Sequence, residues 1–221
     1  ALLLMETAQA ASFRFTVSAD NRPYSIENRA RFQYALSEVK RVWGDEGVFH
    51  IIPGDFDSLP QVDYPDVDIT DQELKAAFGD DVIWYPVVGN HEKETAADMT
   101  WTRNAYVNLP FIVNLGPVNG MSTTYSFDYG NAHFVALNVY YNGVSDVGSD
   151  GDVGDALYQW LVDDLNATEQ PVIFVIGHEP AYPENRHVDD SLNANAANRD
   201  RFWQLLEAHQ AIAYLCGHTH F

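Results

Sequence analysis

Val82-Ile83-Trp84-Tyr85-Pro86-Val87-Val88 runs without a break into Gly89-Asn90-His91-Glu92. An apolar run that stops at a glycine and then at proton- or metal-handling side chains describes a buried strand with chemistry at its tip. Four more places repeat the arrangement. Residues 13–19 end at Asp20, 48–53 at Gly54-Asp55, 171–176 at Gly177-His178, and 211–216 at Gly217-His218-Thr219-His220. Strand tips of this kind predict one polar cluster at the carboxyl edge of a sheet, where open α/β sheets bind ligands.

Helical patterns separate most of these strands. Ala30, Tyr34, Ala35, Val39 and Val42 recur at helical spacing over 27–43, and Gly44 follows as a stop signal. Strand, helix, strand makes a βαβ unit with a right-handed crossover. Further helices are expected near 71–78, 95–107, 156–165 and 197–209, with loop from the end of the second of these through Asn119. Residues 123–129 and 132–137 alternate about Gly130-Asn131, as in a β-hairpin. The loop 141–154 invites a calcium reading but fails the EF-hand pattern, with Gly148 at a ligand position and Leu157 in place of the closing glutamate. Asp152 or Asp155 reads instead as a helix cap.

Composition sets bounds. The chain has 221 residues, enough for one sizeable core, and is 46% apolar, which is globular. Lys and Arg total 12 against 32 Asp and Glu, a net charge of −20. That field disfavours long nucleic acid and anionic membranes, while an anionic substrate stays compatible because bound cations reverse the local sign. No stretch approaches a membrane span. Cys216, the only cysteine, excludes an intrachain disulfide and reads as a half-buried apolar filler. In the N-terminal tail 1–12, Leu2-Leu3-Leu4 before Ala8-Gln9-Ala10-Ala11 resembles the end of a secretory signal. It favours a secreted or periplasmic location over a cytoplasmic one. Oligomeric state is not legible.

Taken singly, each candidate has a structural explanation: Asp20 as a turn residue, His178 as a satisfied core histidine, His50 and His133 as core or cross-strand residues, His209 at a helix C-terminus. Taken together, Asp20, Asp55, Asn90, His178, His218 and His220 form a carboxylate–imidazole set suited to Mn, Fe or Zn. His218 and His220, two apart, share a side on extended backbone.

In this order Asp20, Gly54-Asp55, Gly89-Asn90-His91-Glu92, Gly177-His178 and Gly217-His218-Thr219-His220 resemble the five motifs of the calcineurin-like metallophosphoesterases, from Phe13 to the last residue. The resemblance implies an α/β domain over 13–221, a two-sheet αββα sandwich with helices outside. It also implies hydrolysis of a small phosphate monoester or diester at a dinuclear centre of divalent or trivalent ions. Asp55 would bridge; Asn90, His178 and His218 would complete one site; Asp20 and His220 would serve the other. A hydroxide between the metals would attack phosphorus in line, with His91 near the leaving oxygen as general acid.

The chain departs from the family where many members have a histidine two residues after the first aspartate and this one has Arg22. Arg22 reads either as a phosphate-facing group or as one partner in a salt bridge. Ser58 replaces the tyrosine ligand of some relatives and the aspartate with which others polarise the histidine of the third motif, and Asp57 is one residue off. Relatives continue past the last motif, whereas this sequence stops at Phe221, as a truncated domain would. These departures motivate the alternative of a non-catalytic binding or structural module. Specificity is expected from loops 59–70, 93–122, 141–153 and 180–195, with His187 and Tyr182 lining the substrate pocket and Tyr64 or Trp101 offering stacking surfaces.

Overall fold

The computed structural model describes residues 12–23, 25–44, 47–56, 69–94, 96–106, 109–120 and 122–220. The leader-like tail, Asp57, Ser58 and Tyr64 lie outside these residues. Two sheets carry the architecture. The first is parallel, with β1 (Arg14–Val17), β2 (Gly47–Ile52) and β3 (Ile83–Pro86) in the order 1-2-3. The second runs in the order 4-5-6-7-8: β4 (Ile112–Leu115), β5 (Tyr125–Tyr129), β6 (Ala132–Ala136), β7 (Val172–Ile176) and β8 (Ala213–Leu215). Its β4–β5–β6 pairings are antiparallel, and β7 and β8 join in parallel. Among the described residues the α-helices are α1 (Ile26–Trp43), α2 (Ile69–Phe78), α3 (Ala96–Tyr106), α4 (Asp155–Ala167) and α5 (Ala196–Ala208).

Strand alternation explains the layering. In β2, Phe49 and Ile51 point to the second sheet, while Ile52 points to the helices and packs with Phe32, Leu36 and Leu74. The face between the sheets is filled by rings. Phe15 meets Phe134 at 5.1 Å and Phe174 at 5.2 Å, and Tyr85 stacks on Phe127 at 3.7 Å. Each such pair contributes about 0.5–1.5 kcal/mol beyond area burial. Leu157, Leu161, Leu165, Phe202 and Leu206 cover the outer face of the second sheet from α4 and α5. The expected two-sheet αββα sandwich is the fold observed.

Several local expectations are corrected. Helix α1 buries Phe32, Leu36 and Trp43, leaving Tyr34 and Val42 exposed, because the larger apolar set one step round the helix wins the core. Strand β4 lies in a stretch read as loop; it is a short edge strand between Pro110 and Pro117, with Val113 and Leu115 outward. Gly154, without a side-chain hydrogen bond, caps α4. The two aspartates expected there are engaged elsewhere, Asp152 by Asn195 and Asn198, Asp155 by Arg201. Cys216 is exposed, not half-buried, because it follows an edge strand. Among the described residues no helix is long and apolar enough to cross a membrane.

Far from the strand tips of the motifs, buried His133 ties the β5–β6 hairpin to α4. Its Nδ1 lies 2.6 Å from Asp128 and its Nε2 2.9 Å from Asp164, which also accepts from Ser126 and Asn114. Burial alone would lower the His133 pKa, but the hydrogen bonds to Asp164 and Asp128 outweigh it and the value rises. A raised folded value makes the staple strongest below the free-histidine pKa of about 6.5 and weaker as pH climbs through the folded value. His133→Gln should lower the unfolding free energy by about 2–4 kcal/mol at about pH 6, and by less at about pH 9, in urea titrations.

Candidate metal centre

The motif residues meet where the carboxyl ends of both sheets face each other, not at the edge of one sheet. Backbone bonds extend each sheet past its last strand residue: Ser18 N–H donates to Ile51 O, Asp20 N–H to Gly54 O and Arg22 N–H to Asp55 O. In the second sheet Gly217 N–H donates to His178 O. Asp20, Arg22, Asp55, His218 and His220 all have positive φ, the costly left-handed region for such residues. Two glycines admit the crowding. A Cβ on Gly89 would stand 2.3 Å from Asp55 Oδ1, and one on Gly54 2.3 Å from His178 Nδ1.

Three uncharged donor atoms converge. Asn90 Oδ1 lies 3.0 Å from His178 Nε2 and 3.1 Å from His218 Nδ1, and Asp55 Oδ1 is 3.4 Å from His178 Nε2. The other nitrogen of each ring is committed: His178 Nδ1–H donates to Pro53 O at 2.8 Å and His218 Nε2–H to Asp190 O at 2.9 Å. Burial lowers both histidines to about 4, so the rings are neutral and the converging nitrogens carry lone pairs. Lone pairs facing one another have no proton to share. They fit a cation, whose ligand atoms at bonds of about 2.1 Å stand about 3.0–3.4 Å apart, and the backbone carbonyls are the outer partners such imidazoles need. Burial first, opposed by the His91 N–H bond and reinforced by Asp20, pushes the Asp55 carboxyl up to about 7. A cation there would reverse that shift.

The Asp20 side is different. Both Asp20 carboxylate oxygens accept the His218 backbone N–H at 3.0 Å, and His220 Nε2 is 3.5 Å from Oδ1. Donor atoms of Asp20, Asp55 and His178 fall within 4.8 Å of one another. His220, however, does not share a side with His218 as extended backbone would require. Both have positive φ beyond the end of β8, with His218 toward Asn90 and His220 toward Asp20 and Arg186, whose guanidinium donates to His220 Nδ1 at 3.1 Å. Beside Asp20 and His220 opens a cavity of about 390 Å³, also lined by Arg22, Asn28, Arg31 and Phe32.

Arg22 extends to His91. Its Nη1 donates to His91 Nε2 at 3.0 Å, and that nitrogen is 3.6 Å from Asp55 Oδ2. Burial, followed by the Arg22 charge, lowers the His91 pKa. Glu94, given no role from sequence, brings Oε1 to 2.7 Å from His91 Nδ1. The short 3-10 turn Glu92–Glu94 brings residues three apart onto one side and so places Glu94 against His91. Glu92 was also missed: its Oε2 accepts from Asp55 N–H at 2.9 Å and Gly89 N–H at 2.7 Å.

Of the residues expected to line the substrate pocket, His187 lies against His218, with ring centroids 4.0 Å apart and planes tilted by 33°, and pairs with Asp190. His187, Asp190 and His218 form a second group of donor atoms, but His218 Nε2 there already donates to the Asp190 carbonyl. Tyr182 is not brought to the cluster. It packs edge-on against Trp203 beneath Arg199, in a separate shallow hollow that includes Thr219. Trp101 belongs to the core, against Phe56 and Trp84, because its ring completes the outer aromatic layer.

Because Gly89 has no room for a side chain, Gly89→Ala should displace the Asp55 carboxylate. The variant should keep its far-ultraviolet circular dichroism yet bind Mn²⁺ about 10- to 100-fold more weakly, measured by equilibrium dialysis.

A comparison with curated proteins returned no match. The calcineurin-like phosphoesterase family matches residues 13–221, which takes in all five strand tips. Its members in general hydrolyse phosphoesters with metal ions, and the cluster offers ligands of the required kind. With nearly its whole length matched, the chain belongs to the calcineurin-like phosphoesterase family.

Proposed function

We propose that the chain hydrolyses a small phosphate ester, monoester or diester, at the junction of its two sheets. The reading is carried by the convergence of Asn90 Oδ1, His178 Nε2 and His218 Nδ1 beside Asp55, with the outer ring nitrogens already turned to backbone carbonyls. Asp55, Asn90, His178 and His218 would hold one cation of the Mn, Fe or Zn kind. Asp20 and His220, with Asp55, stand where the resemblance would put a second cation. When bound, such ions activate water as a nucleophile and offset negative charge on the phosphoryl oxygens.

The protein's own groups do the rest. Arg22 faces the same space as Asp55 and His91, and its planar fork suits two phosphoryl oxygens at once. Phosphate binding would draw that fork away from His91 Nε2, which would then take up a proton from solvent and give it to the leaving oxygen. Glu94 lies against the opposite nitrogen and favours the ring orientation that keeps Nε2 inward. The cavity, lined by polar Asn28 and Arg31 and by apolar Phe32, would receive the remainder of the ester. His187, its ring tilted against His218, borders the site from the loop after β7, while Tyr182 stays outside it.

The test is hydrolysis of a nitrophenyl phosphate monoester and its diester after Mn²⁺ loading and again after chelation. Chelator-sensitive turnover is the expected outcome. Its absence in folded, metal-loaded protein would favour the binding-module alternative. His91→Ala should keep metal content and lower turnover by about 10²- to 10⁴-fold; equal loss of metal and activity would remove its assigned role.

A further inference from the structure

The two halves of the cluster are prepared differently for a cation. On the Asn90 side both imidazoles give their outer N–H to a carbonyl and present a bare nitrogen inward. On the Asp20 side the outer nitrogen of His220 instead accepts from the Arg186 guanidinium. A guanidinium has only hydrogens to offer, so the neutral ring carries its proton on Nε2, the atom that faces Asp20 at 3.5 Å. That tautomer makes a hydrogen-bond donor toward the carboxylate and not a metal ligand. One backbone N–H, from His218, is shared between the two Asp20 oxygens.

A positive charge already stands there. Arg22 comes two residues after Asp20, bonds through its backbone to Asp55 O, and its charge reaches Asp55, His91 and His220 alike. In a chain of only 12 lysines and arginines against 32 acids, Arg22 and Arg186 both lie against this half of the cluster. Fixed guanidinium charge repels a second cation and supplies part of the same attraction for an anion.

We propose that the resting enzyme holds one tightly bound cation, at Asp55, Asn90, His178 and His218, and that Arg22 with Arg186 takes the electrostatic place of a second. The Asp20–His220 half then serves to bind the substrate's phosphoryl group and not to store metal. The inference rests on the phosphoesterase reading for the location of the centre, and its consequences are read from metal binding alone.

The experiment titrates chelator-stripped protein with Mn²⁺, following calorimetric heat and the electron paramagnetic resonance spectrum. Expected are one tight equivalent, a second at least about 10- to 100-fold weaker, and the spectrum of an isolated ion at saturation of the first. Arg22→His should raise the tight stoichiometry to two and produce the spectrum of a spin-coupled pair. Arg186→Gln, a milder change, should strengthen the weak equivalent by itself. Two tight equivalents with a coupled spectrum in the unmodified chain would overturn the single-ion assignment and leave the hydrolytic reading in place. One equivalent that neither substitution changes would overturn the role of the guanidinium groups. Uptake of no metal at all would overturn both readings.

Discussion

One buried carboxylate oxygen holds the strand tips of the first sheet in place. Glu92 Oε2, in a side chain with no solvent exposure, accepts the backbone N–H of Gly89 and of Asp55. A buried carboxyl oxygen is tolerated when N–H donors satisfy it, and leaving it unmatched would be costly. Since Asp55 sits at positive φ, its backbone needs such an external restraint to stay there. Through that turn Glu92 sets where the Asp55 carboxylate lies, and Asp55 Oδ1 in turn accepts the His91 backbone N–H. Asn90 is strung between these anchored residues, which gives it a defined height over the two imidazoles.

The second sheet contributes rigidity of another kind. His178 and His218 lean on carbonyls from distant parts of the chain, Pro53 and Asp190, so their rings are set before any ligand arrives. The reach of His178 to Pro53 also bridges the sheets directly, at the level of the site, where the aromatic core ends. The cluster is therefore part of the seam between the sheets as well as its product. Its two faces differ in polarity of purpose: lone pairs converge on the Asn90 side, and donors converge on the Asp20 side.

Much of this was legible from residue order. Apolar runs ending in Gly, Asp, Asn or His located all five strand tips, and helices between most of them implied parallel strands with crossovers. What sequence spacing could not supply was the partner of each side chain. The inward face of α1 was misjudged because Tyr34 and Val42 match helical spacing as well as Phe32 and Leu36 do. Strand β4 was hidden by flanking prolines and by its four-residue length. Glu92 and Glu94 look like ordinary surface acids in a list of 32; only the tight 3-10 turn sends one inward to backbone and the other back to His91. His220 was assigned by its motif, and the group against its outer nitrogen, Arg186, lies 34 residues away in a loop.

The bond between the His218 N–H and the Asp20 carboxylate joins positions 198 residues apart. Contacts of such sequence separation form late, because the intervening chain must first be ordered. During synthesis, which runs from the N-terminus, Asp20, Asp55 and Asn90 emerge long before His178 and His218. A nascent chain thus displays a carboxylate-rich half-site with few imidazoles and little affinity for transition metals. Only when β7 and β8 dock beside β6 does the nitrogen-bearing half close over it. The order of the motifs along the chain therefore defers metal capture to the last stage of folding, when the site has its final shape and is least able to accept a cation in the wrong geometry.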